Sequence, residues 1–147
     1  MVQCIRLLIA DDAPRSRDGL RALLATVRLK SSTEAHPKSA HGEALRAKEP
    51  QDEAWPQVEV VGEAADGQKA VRLVEECRPD VVLMDARMPV MDGVEATRLI
   101  KNKWPEVKVV VLTMYPAYQA EALAAGADAF LVKGCLPEEL LEAILDD

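Results

Sequence analysis

The sequence has 147 residues, 49% hydrophobic and 29% charged, enough apolar material for one packed domain and too much for global disorder. Its formal charge of −7, from 18 basic and 25 acidic side chains, argues against direct nucleic-acid binding by this chain alone. No apolar run approaches the roughly 18 residues of a membrane span, and Met1-Val2-Gln3-Cys4-Ile5-Arg6 lacks the basic-then-apolar layout of a secretory signal.

In chain order, Ile5 to Ala10 is a continuous apolar run that predicts a strand, with Asp11 and Asp12 directly after it. A helix is predicted over Pro14 to Val27, with Pro14 near its start and Leu20, Leu23, Leu24 and Val27 on one face. Val58 to Val61 is a shorter apolar run. Gly67 to Cys77 reads as a helix with Asp66 as N-cap and Ala70, Val71, Val74 and Cys77 facing inward. Val81 to Met84 is the next strand, and Asp85 comes immediately after it. Asp92 and Glu95 have capping-box spacing at the head of a helix over Gly93 to Asn102. Val107 to Leu112 is a strand leading into Thr113, and Ala117 to Ala125 is a helix ending at Gly126. Ala129 to Val132 leads into Lys133, and Pro137 to Leu145 forms a last helix carrying Leu140, Leu141, Ile144 and Leu145. Continuous rather than alternating strands mark burial on both faces, so the alternation of elements predicts an α/β parallel sheet.

Residues 29–56 break the rhythm. They hold Pro37, Pro50 and Pro56, both histidines (His36 and His41) and few large apolar side chains, so a mobile surface insertion is expected between the first helix and the second strand. Two neighbouring histidines are too few for a zinc site, and a His-based triad would have to draw on one of them. Cys4, Cys77 and Cys135 are odd in number and far apart. They read as reduced residues, buried or half-buried, in a cytoplasmic protein.

The informative feature is the kind of residue that ends each strand. Asp11, Asp12, Asp85, Thr113 and Lys133 all stand where parallel strands would end, and open α/β sheets bind ligands outside those carboxyl ends. Singly, each has a bland reading: an Asp caps a helix, a Thr ends a strand, a Lys is solvated. Together they gather three carboxylates, a hydroxyl and an ammonium in one crevice. Carboxylates so placed need a cation, and a hard one such as Mg²⁺ fits oxygen ligands. Positive charge flanking a carboxylate nucleophile suits phosphoryl transfer.

Leu8-Ile9-Ala10-Asp11-Asp12, Asp80 through Gly93, Val111-Leu112-Thr113 and Gly126 through Lys133 resemble the receiver domain of two-component response regulators. Val60 through Gly67 and Thr113-Met114 resemble the subgroup that precedes a helix-turn-helix output domain. The resemblance implies a doubly wound, flavodoxin-like sheet of five parallel strands, order 2-1-3-4-5, with helices on both faces. It implies that Asp85 accepts a phosphoryl group from a sensor histidine kinase. Asp12, Asp85 and the Arg87 main-chain carbonyl would ligate Mg²⁺ (Mn²⁺ as a substitute), with Asp11 acting through water. Lys133 would pair with the phosphoryl group, Thr113 would turn toward it, and Phe130 would repack. No other cofactor is implied. The output would leave through the helix 4, strand 5 and helix 5 face, with a phosphorylation-dependent homodimer as a further expectation.

On this reading residues 1–147 are a single cytoplasmic receiver, a regulatory domain that catalyses only its own phosphorylation and dephosphorylation. No output domain lies after Asp147, so DNA contact would need one absent from this chain, and the chain is either receiver-only or an excised fragment. Two departures stand out. Gly134 succeeds Lys133 where many members have a cis-linked proline, and Met114 is bulkier than the residue usual beside Thr113. Two other classes compete. Aspartate-nucleophile phosphohydrolases carry an acid two residues after the nucleophile, where this chain has Arg87. A pseudo-receiver would lack acceptor-site residues that are all present here.

Overall fold

The apolar runs, rich in Val, Ile and Leu, pair into one sheet whose central strands hide side chains on both faces. The computed structural model describes residues 4–25 and 57–146. The strands are β1 (Cys4–Ala10), β2 (Gln57–Ala64), β3 (Val81–Met84), β4 (Lys108–Thr113) and β5 (Ala129–Val132). They are all parallel, in the order β2-β1-β3-β4-β5. The helices are α1 (residues 14–25), α2 (Gly67–Cys77), α3 (Gly93–Lys103), α4 (Gln119–Ala124), which a 3₁₀ turn at Pro116–Tyr118 introduces, and α5 (Pro137–Leu145). None among the described residues is long and apolar enough to cross a membrane.

Strand alternation divides the core in two. Leu8, Ala10, Val82, Met84, Val109 and Val111 pack with Ala70 and Val74 of α2, Ile100 of α3 and Ala122 of α4. Leu7, Ile9, Val81, Leu83, Val110 and Leu112 face the other way, against Leu24 of α1 and Leu140 and Ile144 of α5. The sheet is therefore doubly wound, as the alternating elements imply.

Burial on both faces holds for β1, β3 and β4 but not throughout. β2 and β5 are edge strands and stay mostly half-exposed. β2 also runs longer than its apolar run, because β1 pairs with it over its whole length through a bulge between Leu7 and Leu8. The expected caps are present: Asp66 accepts from the Lys69 amide, Asp92 accepts from the Glu95 amide, and Gly126 lies beyond α4 at φ 107°. The cysteines are free, with Cys77 and Cys135 half-buried. Cys4 departs from the expected burial: it opens β1 at the rim and is exposed. Residues 29–56, with His36 and His41, lie outside the described residues.

The start of α3 abuts the end of β3 so closely that only glycine fits. A Cβ at Gly93 would lie 1.8 Å from the Asp85 carbonyl oxygen, whereas one at Gly19 in α1 would meet nothing within 4 Å. Gly93→Ala should cost about 3 kcal/mol or more, and Gly19→Ala should stabilise by about 0.5–1 kcal/mol. Urea unfolding of both variants checks the opposed signs.

Candidate functional site: an acidic pocket bridged by a lysine

Strand order creates the site. Ala10 and Met84 are register partners on adjacent strands, so the next residues, Asp11 and Asp85, emerge side by side. The Asp85 amide donates to the Ala10 carbonyl at 2.9 Å, and the Asp11 amide donates to the Ala64 carbonyl at 2.9 Å. On the far side Thr113 pairs with Val132, and the Lys133 amide donates to the Thr113 carbonyl at 2.8 Å. The chain ends of β1, β3, β4 and β5 thus open onto one crevice.

Lys133 spans it. Its Nζ donates to Asp11 Oδ2 at 2.7 Å and to Asp85 Oδ2 at 3.0 Å. Both aspartates are buried, at 2% and 7% exposure. Removing one partner of such a group typically costs about 3–5 kcal/mol, since the other charge is left uncompensated. Burial pushes the Asp11 carboxyl up, but hydrogen bonds from Lys133, the Ala13 amide and the Ser16 hydroxyl outweigh it and hold Asp11 below its ordinary value. Burial likewise pushes Lys133 down, and its bonds to Asp11 and Asp85 outweigh that and hold it above its ordinary value. Asp11 and Lys133 therefore carry full opposite charges at neutral pH.

Asp12 is exposed, yet carboxylate oxygens of Asp11, Asp12 and Asp85 lie within 4.8 Å of one another. One ammonium leaves this set with excess negative charge. All-oxygen donors at such separation fit a hard divalent cation. A cleft of about 720 Å³ gives access, lined by these groups with Arg87, Met88, Pro89, Asp92, Met114, Tyr115 and Tyr118. A cleft of about 790 Å³ lies on the opposite rim, but Lys101 there is engaged with the Pro105 and Val107 carbonyls and Asp128, and Lys108 with the Ala143 carbonyl of α5.

The loop after Asp85 is under tension. Val90 has φ 69°, at the centre of a tight turn closed by the Met91 amide on the Pro89 carbonyl at 2.7 Å. A β-branched residue in that region is strained by about 1–3 kcal/mol. The turn shapes the loop that carries Arg87 past the carboxylates.

Asp11, Asp12, Asp85 and Lys133 converge as their positions after the strands suggest. Thr113 is fully buried, with its hydroxyl accepting from the Tyr115 amide at 3.3 Å. Phe130 is half-buried and packs on the α2–α3–α4 side of the core. The peptides of the described residues are all trans, and Gly134 takes φ 98°. Sequence reasoning passed over Ser16 and Arg17. Ser16 supports Asp11, and Arg17 donates to the Asp11 carbonyl at 2.7 Å while pairing with Glu63 of β2. Their place in the first turns of α1 was the available signal.

The chain matches the response regulator receiver domain family over residues 54–145. It is 37% identical to the uncharacterized transcriptional regulatory protein YhcZ of Bacillus subtilis, covering 94% of this chain and 52% of that protein. It is 44% identical to the transcriptional regulatory protein DegU of Brevibacillus brevis, over 60% of this chain and 39% of that one. The chain spans about half the length, or less, of the curated relatives it matches. A crystal structure of a LuxR-family two-component response regulator from Aurantimonas sp. SI85-9A1 superposes with a TM-score of 0.72 at 30% identity, covering 97% of this chain and 83% of that one. Matched segment, fold and strand-end pocket agree: the chain belongs to the response regulator receiver domain family.

Proposed function

We propose that residues 1–147 act as one receiver, a switch driven by phosphorylation of Asp85. The observation that carries this reading is the Lys133 ammonium shared by Asp11 and Asp85. It places positive charge beside a carboxylate oxygen that opens onto a cleft. In the step envisaged, that oxygen attacks phosphorus of a kinase phosphohistidine. The phosphorus–nitrogen bond breaks, and the imidazole leaves with the electron pair. Lys133 offsets charge on the phosphoryl oxygens. Hydrolysis by water restores the carboxylate and releases phosphate.

Receiver domains generally bind Mg²⁺ at an acidic pocket, and the donor set here suits it. Asp12, Asp85 and the Arg87 main-chain carbonyl would hold the ion, with Asp11 acting through water; Mn²⁺ is a chemically reasonable substitute. Bound there, the ion would supply Lewis-acid neutralisation of the phosphoryl oxygens.

Phosphorylation replaces the single charge of the carboxylate with the roughly two charges of a phosphoryl group, a net gain of about one negative charge, and adds new acceptor oxygens. Thr113 would leave the Tyr115 amide for a phosphoryl oxygen, and Phe130 would repack behind it. Binding that differs between two arrangements shifts their populations. The readout is assigned to the α4–β5–α5 face, to a phosphorylation-dependent homodimer and to control of transcription in the cytoplasm. With net charge −7, DNA contact would come from residues other than these 147. A phosphohydrolase is disfavoured because Ala86 and Arg87, not an acid, come after Asp85.

Intact-mass analysis after incubation with acetyl phosphate and Mg²⁺ should show one added phosphoryl group, which peptide mapping places on Asp85. Asp85→Asn should take none while keeping its circular dichroism spectrum; undiminished labelling of that variant refutes the assignment. Met114 is 63% exposed on the cleft. If it restricts water, Met114→Ala should shorten the lifetime of the phosphoryl group by about threefold, roughly 0.7 kcal/mol of barrier. An unchanged decay rate by mass counts against that role.

A further inference from the structure

Tyr115 is the second residue of the connection from β4 to α4 and is held at two points. Its amide donates to the Thr113 hydroxyl at 3.3 Å, and its ring lies 4.7 Å from the Arg87 guanidinium. Arg87 in turn directs its own amide toward Asp85 Oδ1 at 3.4 Å. Arg87 and Tyr115 both line the cleft that exposes Asp85 and Lys133. No carboxylate of the described residues pairs with the Arg87 guanidinium, so in this charged cleft it rests on an aromatic face.

We propose that Arg87 is a phosphoryl-binding residue held in reserve by Tyr115, and that phosphorylation frees Tyr115 by drawing off both of its holders. The proposal rests on Asp85 being the phosphoacceptor. A guanidinium over a half-exposed tyrosine ring is weakly held. A phosphoryl group two residues away offers pairs of anionic oxygens that the planar guanidinium recognises with two parallel hydrogen bonds. The same group competes for the Thr113 hydroxyl. Tyr115 therefore loses its ring contact and its amide contact to one event. Its ring also meets Tyr118 edge-on, with centroids 6.3 Å apart, so release reaches the 3₁₀ turn that introduces α4.

Arg87 also meets the incoming donor. When Asp85 attacks acetyl phosphate, the bond from phosphorus to the acyl oxygen breaks and acetate leaves with the electron pair. A freed guanidinium favours that step by attracting the phosphate, and a guanidinium kept on Tyr115 does so less.

The test is the initial rate of Asp85 labelling by acetyl phosphate with Mg²⁺, read by intact mass. Arg87→Ala should slow labelling about tenfold, the value of a charge-assisted hydrogen bond, and Arg87→Lys should restore most of it. Tyr115→Leu should speed labelling about twofold to threefold in the parent chain and leave it unchanged in the Arg87→Ala background. An equal effect of Tyr115→Leu in both backgrounds, or normal labelling of Arg87→Ala, overturns the proposal. A readout independent of labelling is the Arg87 Nε–H proton resonance. It should carry a ring-current shift that Tyr115→Leu abolishes, and a resonance indifferent to that substitution overturns the contact. Failure of the parent chain to label overturns the acceptor assignment itself, and this inference with it. Normal labelling that ignores Arg87 overturns this inference alone.

Discussion

One half-buried ammonium organises the pocket at the carboxyl end of the sheet. Lys133 reaches across the end of β4 to satisfy Asp11 and Asp85, which stand beside each other because β1 and β3 are neighbours. Two carboxylates this close would otherwise repel, and burial alone would push the Asp11 carboxyl up. The lysine keeps Asp11 ionised, and Asp11 and Asp85 keep the lysine charged despite its desolvation. Asp85, bonded to the same ammonium, lines the cleft that gives access to these groups.

The rest of the fold supports that arrangement. Gly93 lets α3 begin against the Asp85 carbonyl, so the backbone around Asp85 is fixed from both sides. Ser16 and Arg17 tie Asp11 to the first turns of α1, and Glu63 carries the brace across to β2. The strained turn at Val90 sets the path of the loop bearing Arg87. Asp11, Asp85 and Lys133 are each the first residue beyond a strand and stay tied to the sheet by their amides, while Arg87, Met114 and Tyr115 sit further out on the connections with exposed side chains.

Much of this was legible in the chain itself. Continuous Val/Ile/Leu runs announced strands covered by helices, and β3, β5, α2 and α5 fall within the limits their patterns imply. Edge strands were less legible. β2 extends beyond Val58 to Val61 because backbone pairing with β1 continues where side chains are no longer buried. The exposure of Cys4 was likewise hidden, since composition reports that cysteine tends to pack but not that this one begins a strand at the rim.

The sequence by itself determined which chemistry was available: an acid or pair of acids after two strands, a hydroxyl after a third and an amine after a fourth. Local pattern fixes such positions because a strand's length and the residue beyond its end are properties of neighbours in the chain. Only the tertiary structure decided that Lys133 bonds both Asp11 and Asp85, that Ser16 and Arg17 brace the first acid, and that Arg87 lies on Tyr115. Those contacts depend on strand order and on side-chain direction, which no local pattern encodes.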